Sequence, residues 1–301
     1  MNAGPAAIRR AGLALAVFGA IGFAGKAIII KLAYRHGVDA VTLLALRMAC
    51  ALPLFAALAW WAGRGRPALT GRDWRVAATL GFLGYYLASF LDFVGLQYVT
   101  ASLERLILYL NPTVVVVLGW LLHRQRVSRG QLLALGVSYC GILVAFAHEI
   151  RIEGSHVALG SALVFASTLS YSVYLVLSGQ EVRRLGALRL TGLASTVACV
   201  LCVLQFLVLR PVDTLWALAP AVWWLSLLNA LLCTVAPVLM VMMAVERIGA
   251  ATAAQAGMIG PVVTLLMGVA LLGEPLTVWV VAGTALVLVG VALLARRPAS
   301  R

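Results

Sequence analysis

The sequence predicts an all-α polytopic membrane protein of ten transmembrane helices, built as two inverted five-helix repeats. Composition points to the membrane: 63% of the 301 residues are hydrophobic and only 11% are charged, whereas a soluble domain is roughly one quarter charged. Apolar stretches of helical bilayer-spanning length recur along the whole chain, about 20 residues each. Finally, an offset of 149 residues, the separation of Pro112 and Pro261, also lays Trp74 on Trp223, Gly119 on Gly268, Gly141 on Gly290, Thr42 on Thr191 and Ala49-Cys50 on Ala198-Cys199. That period is too long for a solenoid, so the repeated unit is domain-sized, 1–150 followed by 151–301.

The predicted helices follow in order. The stretch 11–33 begins after the basic lead Arg9-Arg10, like a signal peptide, but it outruns an ordinary signal core and carries Lys26 and Lys31, so it is read as a mature helix. The stretch 39–61 holds Arg47, and Ala62-Gly63-Arg64-Gly65-Arg66-Pro67 ends it with turn residues and charge. Stretches 75–97 and 99–122 carry most of the polar residues of the first half and end at His123-Arg124-Gln125-Arg126; 131–148 closes that half. The second half repeats the series at 157–179, 188–209, 220–244, 249–272 and 277–295, with breaks at Glu181-Val182-Arg183-Arg184 and Gly273-Glu274-Pro275. No polar domain is left over, so recognition is expected within the bundle or at its short loops.

Charge placement orients the chain. With the amino terminus in the cytoplasm and ten crossings, sixteen arginines fall in cytoplasmic segments and only Arg35, Arg151 and Arg210 fall outside. This asymmetry follows the positive-inside rule and places both termini in the cytoplasm. The net charge of +13 is therefore a topological signal, and no nucleic-acid partner is expected; membrane lipid is. Five crossings per unit is an odd number, so the second unit enters from the opposite face. Inverted repeats place a substrate site between them near the midplane and rock to give alternating access, which predicts a transporter.

The polar residues inside the spans are the candidate site. Tyr85, Ser89 and Asp92 share a face by i, i+4, i+7 spacing, with Tyr86 beside them; rings with a polar tip suit a substrate that is part apolar and part hydrogen-bonding, and they equally suit an interfacial belt or packing. Glu104, Leu108 and Asn111 extend the set on the fourth stretch. Pro112 there, and Gly260-Pro261 in the ninth after Gln255, Gly257 and Met258, remove backbone donors and are expected to act as gates or hinges, a static packing kink being the other reading. Ionisable residues within a span cost about 2.5 to 3.5 kcal/mol on insertion scales and mark function. Lys26, Arg47, Asp92, Glu104 and Arg105 all lie in the first half, facing Leu175, Thr196, Val241, Ala253 and Ala254 at the matching places of the second. Pairing of Lys26 with Asp92 or of Arg47 with Glu104 would offset desolvation; a structural clamp, a substrate carboxylate site and a proton relay are all open. The second half offers neutral donors and acceptors instead, among them Ser170, Tyr171, Tyr174, Asn229, Thr234 and Gln255.

The runs Gly22-Phe23-Ala24-Gly25-Lys26, Leu44-Ala45-Leu46-Arg47, Leu96-Gln97-Tyr98-Val99-Thr100-Ala101 into Asn111-Pro112, Ile248-Gly249-Ala250-Ala251 into Gly260-Pro261, and above all Leu272-Gly273-Glu274-Pro275 with Gly283 and Gly290 resemble EamA-type members of the drug/metabolite transporter superfamily. The resemblance covers essentially the whole chain and implies ten helices and export of small metabolites. Within the family the chain looks most similar to YddG-type exporters of aromatic amino acids. It departs from the pattern where Gln125 stands opposite Glu274, at a helix boundary, where a structural effect is expected. The resemblance also implies residence in a bacterial inner membrane.

Other functions are weakly represented. Phosphorylated or nucleotide-linked sugars would call for cations at the midplane of both halves, and drugs are a further alternative class. An intramembrane enzyme lacks a motif: His148-Glu149 has no second histidine, and neither GxSxG nor a phosphate-binding glycine loop occurs. The five cysteines lie in apolar spans, none with metal-ligand or CxxC spacing in a polar context, so no disulfide, metal or other cofactor is expected. One chain carries both orientations, so a monomer suffices.

Overall fold

The computed structural model describes residues 5–123, 129–153 and 156–295, and among these every regular element is helical. The first half contains α1 (Pro5–Tyr34), α2 (Ala40–Gly63), α3 (Gly71–Gly81), α4 (Ala88–Gly95), α5 (Ala101–Leu108), α6 (Asn111–His123) and α7 (Arg129–Glu153). The second contains α8 (His156–Leu185), α9 (Ala187–Leu209), α10 (Pro220–Ala230), α11 (Ala236–Ile248), α12 (Ala250–Gly257), α13 (Gly260–Met267) and α14 (Val278–Ala295). Eight helices or runs of helices among the described residues are long and apolar enough to cross a membrane; Gly260–Leu272 and Val278–Leu293 are apolar but shorter. The ninth predicted stretch is short because the chain breaks ahead of Gly260.

Helix starts follow from local chemistry. The Asp39 carboxylate accepts from the amides of Val41 and Thr42 and caps α2. Thr70 and Asp73 form a reciprocal capping box on α3, and Thr100 caps α5 through the Leu103 amide. Gly186 and Gly249 end α8 and α11 with φ of 84° and 78°, values that other residues adopt only with strain.

The 149-residue offset reappears in the helices' irregularities. A π-helical turn at Phe82–Leu87 joins α3 to α4, and another at Leu231–Val235 joins α10 to α11; 82 plus 149 is 231. The break between α5 and α6 falls at residues 109–110, and that between α12 and α13 at 258–259. Contacts repeat as well: α2 packs on α9 and α7 on α14, each helix against its own repeat mate, while α1 packs on α10 and α11 as α8 packs on α3 and α4. Close approach depends on small residues. A Cβ on Gly141 would lie 2.7 Å from the Gly283 carbonyl oxygen, and one on Gly192 would lie 2.7 Å from the Ala59 amide nitrogen, the small-residue contact usual between membrane helices.

Buried residues of α1, α2, α4, α9 and α10 form the largest apolar core, and a second joins α5, α7, α8 and α14. Outward faces stay apolar: Val208 is 81% exposed and Leu133 69%, as expected of surfaces that meet lipid. Loops are tied within two groups. In one, Arg210 pairs with Asp39 at 3.3 Å, Arg35 donates to the Leu272 carbonyl at 2.5 Å, and Glu274 accepts from the amides of Ala101 and Ser102 at 2.7 and 3.2 Å. In the other, Arg184 bridges Asp73 and Glu181, Arg66 donates to the Leu185 carbonyl, and Arg189 donates to that of Pro67.

Candidate functional site

Lys26 stands a little past the middle of α1, where the helix meets α4 and α5. Its Nζ lies 2.5 Å from Asp92 Oδ2 and 2.9 Å from Glu104 Oε1. Glu104 is fully buried and Asp92 is 2% exposed. One ammonium therefore bridges two carboxylates, a geometry that offsets part of the desolvation cost of all three. The register is held from both sides: Tyr34 at the end of α1 donates to the Phe93 carbonyl at 2.6 Å, and Asn229 on α10 donates to the Lys26 carbonyl at 3.4 Å.

Arg47 takes a different partner from the one its charge suggests. Its Nε donates to Thr234 Oγ1 at 2.9 Å, and its guanidinium sits 5.2 Å from the centre of the Phe93 ring. Thr234 lies in the second π turn and donates its own proton to the carbonyl of Asn229, five residues earlier, at 2.9 Å. That carbonyl belongs to the stretch where the hydrogen-bond ladder is irregular, so the π turn and the threonine together prepare the acceptor that receives Arg47. Of the two pairings open in the sequence, Lys26 with Asp92 forms, while Arg47 makes a hydrogen bond across the two halves to Thr234 and Glu104 stands within ion-pair distance of Lys26.

Arg105, next to Glu104, donates to the Phe23 carbonyl at 3.5 Å and lies 5.4 Å from the Tyr109 ring centre. Tyr109 donates to the Gly257 carbonyl at 2.5 Å. Six buried polar atoms of this neighbourhood have no hydrogen-bond partner among the described residues: Arg47 Nη1, Asp92 Oδ1, both Glu104 oxygens, Arg105 Nε and Asn229 Oδ1. The Glu104 contact with Lys26 is close enough for an ion pair but poorly aligned as a hydrogen bond. Unsatisfied buried groups are rare in folded proteins, and a cluster of them calls for a functional reason.

The remaining sequence-predicted residues divide. Tyr85 and Tyr174 touch hydroxyl to hydroxyl at 3.0 Å with rings edge to face, and Tyr171 lies against Tyr174 at 5.3 Å between ring centres but on an exposed side of α8. Tyr86 packs on the large core and tilts against Phe82, and Ser89 is half-buried on α4. The common face expected of Tyr85, Ser89 and Asp92 does not give them common partners. The π turn at Phe82–Leu87 interrupts the 3.6-residue period, so Tyr85 addresses α8 while Asp92 addresses α1 and α5.

Asn111 donates to Ser172 at 3.1 Å; Leu108 and Met258 pack with Tyr109 on the second core. Gly260 and Pro261 are buried and Pro112 is exposed, and each proline sits at the start of its helix, α6 or α13, directly after the break. The side chain of Gln255 and the whole of Gln125 lie outside the described residues. Sequence reasoning named Arg47 and Arg105 among the functional in-span charges without assigning them a binding role, and it left out Tyr109. Tyr109 had a signal, since it overlays Met258 in the repeat.

Comparison with known proteins assigns the fold to a group. The EamA-like transporter family matches twice, over residues 10–147 and 158–296. The uncharacterized transporter YcbK of Bacillus subtilis (strain 168) is 30% identical over 275 residues, 88% of this chain and 86% of its own. A second uncharacterized transporter of that organism, YyaM, is 26% identical over 215 residues, 70% of each chain. One solved crystal structure aligns with a TM-score of 0.64 at 17% identity, covering 94% of this chain and 95% of the other, which speaks for the fold alone. With the family matched across both halves and apolar helices along its length, this multi-pass integral membrane chain belongs to the EamA-like transporter family.

Proposed function

We propose that the chain is a secondary-type exporter of small metabolites, foremost amino acids with neutral or aromatic side chains, working by alternating access through a central cavity between two inverted repeats. It crosses the bilayer ten times, with both termini in the cytoplasm of a bacterial cell. The grouping of loops supports this topology. Asp39, Ala101, Arg210 and Glu274 all fall outside on the arginine count, whereas Arg66, Asp73, Glu181 and Arg189 all fall inside, and each group makes contacts within itself. The matched π turns and helix breaks support opposed copies that rock against one another.

The observation that carries the substrate reading is the cluster of buried, unpartnered donors and acceptors of both signs on Arg47, Asp92, Glu104, Arg105 and Asn229. A zwitterion can satisfy both signs at once; a phosphate can satisfy only the cations, and Lys26 is already held by two carboxylates. Efflux from proteoliposomes preloaded with labelled phenylalanine, leucine and other amino acids tests the reading. Faster loss than from protein-free vesicles is the expected result, and the absence of acceleration for every amino acid overturns it. Repeating the assay with an imposed pH gradient distinguishes proton-coupled exchange from facilitated flux.

A further inference from the structure

We propose that Arg47 is the receptor for the solute's carboxylate and that Asp92 takes its ammonium group, making a zwitterion subsite between α2, α4 and the π turn at Leu231–Val235. The inference deepens the amino-acid reading and rests on it.

The guanidinium is fixed without being satisfied. Thr234 holds Nε at 2.9 Å and the Phe93 ring supports one face at 5.2 Å, which sets the plane of the guanidinium. Nη1 is buried there with no hydrogen-bond partner, in a residue only 6% exposed. A buried guanidinium N–H left unmade is among the more expensive defects in a fold, because the donor is charged. The rest of the surroundings do not supply the missing acceptor: Cys199, Cys202 and Cys233 are its near neighbours, and among the described residues no ion pair includes Arg47.

Charge counting gives the sign of the absent partner. Lys26, Arg47 and Arg105 face Asp92 and Glu104, three cations against two carboxylates, and both carboxylates are drawn to Lys26. The uncompensated positive charge thus resides with the arginines. Arg105 is partly occupied by the Phe23 carbonyl and the Tyr109 ring, whereas Arg47 keeps Nη1 buried and unpartnered. A planar guanidinium edge in a water-poor site suits a carboxylate, which accepts two parallel bonds from it.

The complementary group is adjacent. Asp92 precedes Phe93, the residue on which Arg47 rests, and it acts electrostatically on Arg47. Lys26 contacts its Oδ2, while Oδ1 is buried and unpartnered. An α-amino acid carries its carboxylate and ammonium on one carbon, and so fits an unfilled donor beside an unfilled acceptor. No single-sign solute does so.

The test uses the purified full-length chain and three probes with the same ring: phenylalanine, phenylalaninamide, which lacks the carboxylate, and 3-phenylpropionate, which lacks the ammonium group. Calorimetric titration of the wild type should favour phenylalanine over the amide by about tenfold or more, the worth of one charge-assisted pair. Arg47→Gln should bring that ratio close to unity, and Arg47→Lys should retain part of it. A wild-type ratio preserved in Arg47→Gln assigns Arg47 a structural role and overturns the proposal, even if the variant melts earlier. Should Arg47→Gln not yield folded protein, Thr234→Val removes the Nε anchor together with the hydrogen bond to the Asn229 carbonyl, and an unchanged ratio there likewise counts against the proposal. If no amino acid is transported or bound, the export reading fails separately. The subsite is then judged on 3-phenylpropionate: binding to the wild type and not to Arg47→Gln sustains the carboxylate receptor, and absent or equal binding removes it.

Discussion

Tyr109, where the first broken helix gives way, donates its hydroxyl to the carbonyl of Gly257, the last residue before the second break, at 2.5 Å. The two interruptions, equivalent in the repeat, are thus joined to each other. Gly260 permits this meeting: a Cβ there would fall 2.5 Å from the Tyr109 hydroxyl and 2.8 Å from Arg105 Nη2.

Gly260→Ala should therefore destabilise the protein by about 1–3 kcal/mol through overpacking and slow transport, while Tyr109→Phe should cost about 0.5–1.5 kcal/mol for the lost hydrogen bond. Because the second change removes the atom that the first one strikes, the double variant should lose less than the sum. Thermal unfolding in detergent measures all three; strict additivity would separate the glycine from the tyrosine.

Removing Lys26 leaves two buried carboxylates facing each other. Lys26→Met should lower stability by about 3–5 kcal/mol, the cost of breaking a buried pair. Adding Glu104→Gln should recover part of it, since one uncompensated charge disappears with the second substitution. The order of melting temperatures, wild type above the double variant above Lys26→Met, is the measurement; a double variant no better than the single one counts against the bridge.

Asp39 gives a pH dependence. Burial works against its charge, but hydrogen bonds from the Thr42 side chain and amide and the Arg210 guanidinium outweigh that, holding the carboxyl below its ordinary value of 3.8. A depressed folded value means that the unfolded chain binds the proton first, so stability rises with pH across the window between the two values. The contribution is full above the ordinary value and lost as pH falls through the lower, folded one. The melting-temperature advantage of the wild type over Asp39→Asn should hold at neutral pH and shrink below about pH 4. An advantage that stays constant to about pH 3 would show that the cap is indifferent to its charge.

Glu274 reaches from the loop before α14 to two amides and the hydroxyl of Ser102 at the start of α5. Glu274→Leu should cost about 0.5–2 kcal/mol, the range for a lost N-cap, and Glu274→Gln should fall between it and the wild type. Hydrogen exchange at the Ala101 and Ser102 amides is the direct readout, and protection unchanged in the leucine variant would remove the cap.

Much of this was legible in the chain. Eight of the spans follow from apolar length, the repeat from landmarks such as Pro112 and Pro261, and the first-half concentration of charge from simple placement. Lys26 with Asp92 was readable as one of two pairings, but the second acid on the same lysine was not, since periodicity says nothing about how neighbouring helices turn toward one another. The π turns at Phe82–Leu87 and Leu231–Val235 escaped for a related reason: neither contains a proline, Gly84 alone is no signal of a π turn, and their irregularity becomes visible only in the hydrogen-bond ladder. The first π turn goes with the different partners of Tyr85 and Asp92, and Thr234, 187 residues from Arg47, could not be matched to it from the sequence.

Glu274 also bears on how the protein is made. Synthesis delivers Ala101 173 residues ahead of the carboxylate that fills its amide, and Thr234 likewise emerges long after Arg47. The first half consequently leaves the ribosome with an incomplete α5 terminus and an unanchored arginine, and it stays provisional until almost the last helix has been translated.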